Sequence, residues 1–177
     1  APGQGNIPSN AKVHSYPLYE KYGLIWIWMG NTALADHQDI FEIEYYDNPS
    51  WGINRGDAME LECNYLLMCD NLLDPTHVAW VHAGSFGQAA TKSAPLRVKK
   101  TNDGIIVHRW MLDVEPAPFY KKVVGFDGNC DRLQHYEVRY PSNALIKAVF
   151  TPAGTGGSEG KLHDDVFIMD SYNFMTP

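Results

Sequence analysis

The spacing of apolar residues changes character along the chain. Lys12 to Glu20 and Leu24 to Met29 are β-rich runs flanking Lys21-Tyr22-Gly23, which predicts a hairpin with a short glycine-ended turn. Its second run, Leu24-Ile25-Trp26-Ile27-Trp28, is apolar on both faces and predicts burial against another element. Residues 31–48 are acidic and mixed, predicting a crossing segment with one irregular helical turn. Residues 53–63 end in Ala58-Met59-Glu60-Leu61-Glu62-Cys63, whose alternation predicts a strand. The period then lengthens. Leu66, Leu67, Leu72 and Leu73 fit 3.6 better than 2, so a helix is predicted from Asn64 to Leu73. Pro75 breaks it. With Asp74 as N-cap and Pro75 at the first helical position, a short second helix is predicted from Pro75 to about His82.

Beyond Ala83 the pattern is that of strands. Leu96–Lys100 and Gly104–Leu112 flank Thr101-Asn102-Asp103. Gln134–Tyr140, Asn143–Thr151 and Asp165–Met175 follow, with a glycine-rich loop at Ala153–Lys161. Pro116–Phe126 reads as a short helix over the sheet. Its Phe119, Tyr120, Val123, Val124 and Phe126 suit either an apolar pocket wall or core packing. There are no internal repeats. The fold class expected is α+β, an antiparallel β-sheet with helices packed on one face.

Composition narrows the function. The chain has 177 residues, 45% hydrophobic and 20% charged, the proportions of one globular domain. Its net charge of -7, with scattered basic residues, leaves no footprint for nucleic acid or anionic lipid. The longest apolar stretch, Gly23–Met29, is far too short to span a membrane. The three cysteines, Cys63, Cys69 and Cys130, form neither a disulfide framework nor a C-x-x-C or C-x-H metal pair. A reduced, cytoplasmic location is expected. The chain opens without Met and closes on Pro177, so it reads as a segment of a longer protein.

The candidate chemistry lies in Cys69-Asp70-Asn71-Leu72-Leu73-Asp74-Pro75-Thr76-His77-Val78-Ala79-Trp80-Val81-His82. Asp70, Asp74 and His77 stand at i, i+4 and i+7, a spacing that one helical face could carry. His77 and His82 are five apart, about 140° around a regular helix at roughly 100° per residue. They converge only where the helix ends or widens, as in a π-type turn. Two converging imidazoles suit a borderline metal such as Fe(II), Zn or Cu. Asp74 is placed to accept a hydrogen bond from a ring N–H of His77. Helix-end histidines and an N-cap aspartate are equally ordinary structural features. His108 and His135 alternate with apolar neighbours on predicted strands and read as structural. His14, His37 and His163 have no ligand spacing, and Trp26 and Trp28 suggest interdomain packing.

The segment Asp70-Asn71-Leu72-Leu73-Asp74-Pro75-Thr76-His77, continued by Val81-His82-Ala83-Gly84-Ser85-Phe86-Gly87, resembles the mononuclear-iron motif of Rieske non-heme iron oxygenases. The wording is nearest the vanillate O-demethylase oxygenase branch. Tyr16-Pro17-Leu18 and Gly23–Gly30 resemble the end of that family's Rieske domain. Arg109-Trp110-Met111, Asp131-Arg132, and the Gly154–Gly160 loop before Phe174-Met175-Thr176-Pro177 resemble the same branch. The resemblance therefore runs over nearly the whole chain in family order.

It implies a helix-grip catalytic domain, here incomplete. Residues 1–30 would be the tail end of the Rieske domain, and 31–177 part of the mononuclear-iron domain. His77 and His82 would bind iron as two arms of a 2-His-1-carboxylate triad. Asp74 would bridge to the Rieske centre of a neighbouring subunit, with Asp70 and Asn71 behind it. The family's C-x-H and C-x2-H pairs are absent, so a 2Fe–2S cluster is expected only in a full-length protein. The carboxylate ligand is expected beyond residue 177, although Asp164, Asp165 and Asp170 are available carboxylates at strand edges. The implied function is O2 activation at mononuclear Fe(II) to hydroxylate or O-demethylate a substituted aromatic. The implied partners are a reductase or ferredoxin, O2 and an aromatic substrate, in a homotrimer when full-length. The alternative is a metal-free helix-grip domain that holds an apolar ligand.

Overall fold

The computed structural model describes residues 3, 5–161 and 163–176. Its contacts divide the chain into two units, one ending at Asp57 and the other starting at Ala58.

In the first unit, β1 (Leu18–Lys21) and β2 (Leu24–Ile27) pair antiparallel. Tyr22 and Gly23 make the turn at φ 62° and 73°. Two central residues at positive φ match the right-handed twist of the strands they join. The first strand is shorter than its predicted run and begins just after Pro17. Leu24, Ile25 and Ile27 are exposed, contrary to the burial expected from their apolar run. A two-stranded sheet has no second layer of its own to cover both faces. The indoles of Trp26 and Trp28 are engaged locally, donating to Lys21 O and Asn31 O. Two single 3-10 turns, Thr32–Leu34 and His37–Asp39, occupy the acidic segment.

Residues 53–61 form no strand. Ile53, Met59 and Leu61 are exposed and no neighbouring strand pairs with them, so alternation without a ladder partner leaves the backbone irregular.

The second unit is built on five antiparallel strands in sequence order: β3 (Arg97–Lys100), β4 (Gly104–Val114), β5 (Cys130–Arg139), β6 (Asn143–Pro152) and β7 (Phe167–Phe174). The register puts Val107 opposite Tyr136, Val138 opposite Ala144, and Arg132 opposite Phe150. Strand residues two apart share a face, so these six side chains lie on one side of the sheet. The helices α1 (Tyr65–Leu73) and α2 (Val78–Val81) pack on that same side. Cys69 of α1 meets Val138 and Ala144, and Val78 of α2 meets Val107 and Tyr136. The fold is therefore α+β with helices on one face of an antiparallel sheet, as the pattern predicts. A third cluster on that face joins Ala117, Tyr120, Cys130, Ala148 and Phe150. Tyr120 belongs to the core while Phe119 and Val123 stay exposed, so Pro116–Phe126 is mainly packing, with only a 3-10 turn at Tyr120–Lys122.

The other face carries a polar row. His108 lies opposite His135, His135 opposite Lys147, and Lys147 opposite Asp170. His135 hydrogen bonds Glu137 at 3.1 Å, and Lys147 pairs with Asp170 at 3.5 Å. His108 and His135 thus lie on the side of the sheet away from α1 and α2. Among the described residues no helix is long and apolar enough to cross a membrane.

Candidate metal centre

The segment of interest begins with a helix that is made to stop. Asn64 caps α1 by accepting from Leu66 N at 2.9 Å. At its other end Asp74 precedes Pro75, and a residue before proline is driven out of the helical region. Asp74 accordingly has φ -96° and ψ 98°. Asp70, Asp74 and His77 therefore do not share one helical face. The second helix starts at Val78 rather than Pro75, with His77 as its N-cap. Asp74 caps a turn instead: its Oδ1 accepts from the backbone N of Thr76 at 2.7 Å and from the Thr76 hydroxyl.

This break brings Asp74 Oδ2 to 3.8 Å from His77 Nδ1. That is beyond hydrogen-bond distance but within ion-pair range. Burial works to raise the Asp74 pKa. The hydrogen bonds from Thr76 and the neighbouring His77 outweigh it and hold the carboxyl below its ordinary value.

His82 ends α2 with φ -110° and ψ 24°. The helix is only four residues long, and the two histidines flank it. Their ring centroids lie 5.3 Å apart with an interplanar angle of 64°. Convergence comes from the helix ending; the π-type turn offered as one route between His77 and His82 does not occur. After His82 the chain folds back: Ser85 N and Gly87 N both donate to His82 O, at 3.0 and 2.8 Å. A Cβ on Gly87 would lie 2.3 Å from Val78 O, so only glycine allows this approach.

Aromatic rings continue from the site into the core. His82 meets Phe86 at 6.1 Å, Phe86 meets Phe119 at 5.0 Å and Tyr120 at 6.0 Å, and Tyr120 meets Phe150 at 4.3 Å. Asp70 and Asn71 are exposed on α1, one turn before Asp74. Asp170 is occupied with Lys147 on the opposite face, and Asp165 neighbours His163 at 3.4 Å. Neither joins the histidine pair. Among the described residues no three His, Cys, Asp or Glu side chains form a metal-holding group. The donor set on this chain, two neighbouring imidazoles with a carboxylate beside one of them, fits two arms of a mononuclear iron site.

Two site-supporting residues were not singled out by their chemistry in the sequence. Arg109 and Arg132 project from β4 and β5 and are 3% and 2% exposed. Both guanidiniums donate to backbone around the histidine segment. For Arg109 the available signal was a cation inside the mainly apolar β4; Arg132 sits in a polar strand and gave none.

Two histidines bracket one short helix on the helix-covered face of an antiparallel sheet, and the fold is that of a Rieske-type oxygenase catalytic domain. Residues 61–177 match the family model for the vanillate O-demethylase oxygenase C-terminal domain, and the chain belongs to that family. It is 36% identical over 163 residues to the iron–sulfur subunit of a toluene-4-sulfonate monooxygenase system from Comamonas testosteroni, covering 90% of this chain and 47% of the relative. It is 37% identical over 150 residues to a vanillate O-demethylase oxygenase subunit from a Pseudomonas strain, covering 82% and 42%. The crystal structure of dicamba monooxygenase bound to dicamba superposes with a TM-score of 0.79 at 25% identity, over 99% of this chain and 49% of that one. The chain spans about half the length of the curated relatives it matches.

Proposed function

We propose that the protein containing this chain is the oxygenase component of a two- or three-part system that hydroxylates or O-demethylates a substituted aromatic compound. The observation that carries the reading is the approach of His77 and His82 to 5.3 Å with Asp74 beside His77. The matched relatives are oxygenase components, which favours this reading over a metal-free carrier of apolar ligands.

His77 and His82 would hold mononuclear Fe(II) through one ring nitrogen each, with the third ligand supplied from elsewhere in the full protein. Bound there, iron supplies the site for O2 and the redox chemistry that attacks a ring or a methoxy carbon. The chain's own residues do the rest. Asp74, ionised at neutral pH, orients the His77 ring and offers a negative acceptor at the surface of the domain. We infer that this acceptor meets the cluster-bearing domain of an adjacent subunit in a homotrimer. Asp70 and Asn71, exposed on the preceding turn, would flank that contact. Phe86 lies beside His82 and Phe119 beside Phe86, a pair suited to hold an aromatic substrate and exclude water. Residues up to about 30 would belong to the cluster domain and the remainder to the iron domain. The 2Fe–2S cluster, the reductase or ferredoxin that feeds it, and a cytoplasmic location complete the proposal.

The test uses the full-length protein. It should contain mononuclear iron in addition to cluster iron. With a reductase, O2 and a panel including vanillate and toluene-4-sulfonate, it should convert at least one substituted aromatic. Formaldehyde release would mark O-demethylation, and a hydroxylated ring would mark the alternative outcome. A full-length protein with cluster iron but no mononuclear iron would defeat the reading.

A further inference from the structure

The two buried arginines of the sheet bracket the histidine segment. Arg109 on β4 donates from Nε to Gln134 Oε1 at 2.7 Å, from Nη2 to Pro75 O at 3.1 Å, and from Nη1 to Thr91 O. Arg132 on β5 donates from Nη1 to Phe86 O at 3.0 Å and to Gln88 Oε1 at 2.7 Å. Its guanidinium carbon lies 4.8 Å from the Tyr120 ring centre and 5.2 Å from that of Phe150. Pro75 is fully buried and sits between Asp74 and His77; Phe86 and Gln88 follow His82. One arginine therefore grips the chain where it enters the site, and the other grips it where it leaves.

Packing alone does not account for these arginines, although Arg132 also lies against Tyr120 and Phe150. Burying a guanidinium is costly, and an apolar side chain would fill the same face of the sheet at no such cost. Among the described residues no carboxylate pairs with either. Among the described residues their hydrogen-bond acceptors are backbone carbonyls and amide oxygens, and Arg132 also meets Tyr120. What a rigid, forked donor gains over an apolar residue is fixed placement of several acceptors at once. Three of the acceptors flank α2, Pro75 O before it and Phe86 O and Gln88 Oε1 after it, and α2 is too short to hold His77 and His82 in place by itself.

We propose that Arg109 and Arg132 are positioning residues for the iron site: Arg109 sets the Asp74–His77 turn, Arg132 sets the loop after His82, and together they fix the separation of the two imidazoles. The proposal rests on the assignment of His77 and His82 as iron ligands. Lysine keeps the charge but is a point donor and cannot span the same acceptors.

The test compares full-length Arg109→Lys and Arg132→Lys with the parent protein. The readouts are Fe(II) affinity, the paramagnetic resonance signal that nitric oxide gives with mononuclear ferrous iron, and the melting temperature. Each variant should fold, keep its cluster, bind mononuclear iron about tenfold to a hundredfold more weakly, and give a broadened nitric oxide signal. Gln88→Ala and Gln134→Leu remove one acceptor from Arg132 and Arg109 and leave the arginines in place. They should weaken iron binding in the same direction by a smaller factor, and they decide the matter if a lysine variant does not fold. Folded variants with parental iron affinity and an unchanged signal would overturn the positioning role. Absence of mononuclear iron from the parent itself would instead overturn the ligand assignment, so the two failures are distinct.

Discussion

His77 and His82 stand five residues apart in sequence, yet their rings are 5.3 Å apart in space. A regular helix would splay them by about 140°. The helix between them has only four residues; His77 caps its start with helical φ and ψ, and the backbone leaves the helix at His82, with φ -110° and ψ 24°. The arrangement ties the ring separation to the two loops that flank α2, not to helical periodicity.

If this pair binds iron, removing either ring should cost the metal without costing the fold. His77 is partly exposed and His82 is a cap residue, so neither fills the core. We expect full-length His82→Ala to melt within a few degrees of the parent, a shift corresponding to less than about 1 kcal/mol. Iron per chain should fall to that of the cluster alone, and turnover should be lost. Metal analysis beside a thermal melt checks both halves. Retained mononuclear iron in both His77→Ala and His82→Ala would count against the pair.

The opposite face of the sheet makes a prediction about pH. Hydrogen bonding from His135 holds the Glu137 carboxyl low; burial opposes it, and Arg139 adds to the lowering, bringing the pKa to about 2 from an ordinary 4.5. A carboxyl depressed in the folded state stabilises the protein above its unfolded pKa. That contribution is lost as pH falls through the folded value. Stability should therefore decline between about pH 4.5 and pH 2 through this group. Glu137→Gln should flatten the decline over that window, which denaturant titrations at successive pH values would show. An unchanged slope would mean that Glu137 is not held by His135 and Arg139 in solution.

Much of this architecture was legible because it is local. The strands from Arg97 to Phe174 follow alternation and turn residues, and the end of α1 follows from Pro75. The approach of His77 to His82 was legible from their spacing around a helix that ends between them. Three things were not. The apolar run at residues 58–63 alternates like a strand but has no partner to complete a ladder, which no single segment can reveal. Leu66 and Leu67 signal a helix correctly yet are exposed, while Cys69 makes the buried contact. The arginines lie 34 and 46 residues from Pro75 O and Phe86 O, and periodicity carries no information at that range.

Gly87 offers a test of the loop after His82. Its missing Cβ allows the chain to pass over Val78 O, which a methyl group would approach to 2.3 Å. Relief requires moving either α2 or the loop, because the obstacle is backbone. Gly87→Ala should destabilise the protein by about 1–3 kcal/mol, the range of an overpacked interior. It should also weaken iron binding, since His82 O anchors both Ser85 N and Gly87 N. A chemical denaturation curve and an iron titration on the same preparation separate the two effects. Full stability in the alanine variant would show that the loop has another conformation.

The role of Asp74 is open to the sharpest test because its structural and electronic tasks use different oxygens. Oδ1 accepts from Thr76 and closes the turn; Oδ2 faces His77 Nδ1 at 3.8 Å. Asparagine keeps a carbonyl oxygen that can serve Thr76, so Asp74→Asn should preserve the turn and change stability by only a few tenths of a kcal/mol. It removes the negative charge and places an amide donor where His77 and a partner group need an acceptor. Iron content and substrate affinity should therefore largely survive in the full-length variant. Electron transfer from the reduced cluster should collapse if Asp74 couples the two centres, seen as slow cluster reoxidation in the presence of substrate and O2. If Asp74 only closes the turn, reoxidation should match the parent. Single-turnover kinetics distinguishes the cases, and near-parental reoxidation in the asparagine variant would remove Asp74 from the electron path while leaving its place in the turn intact.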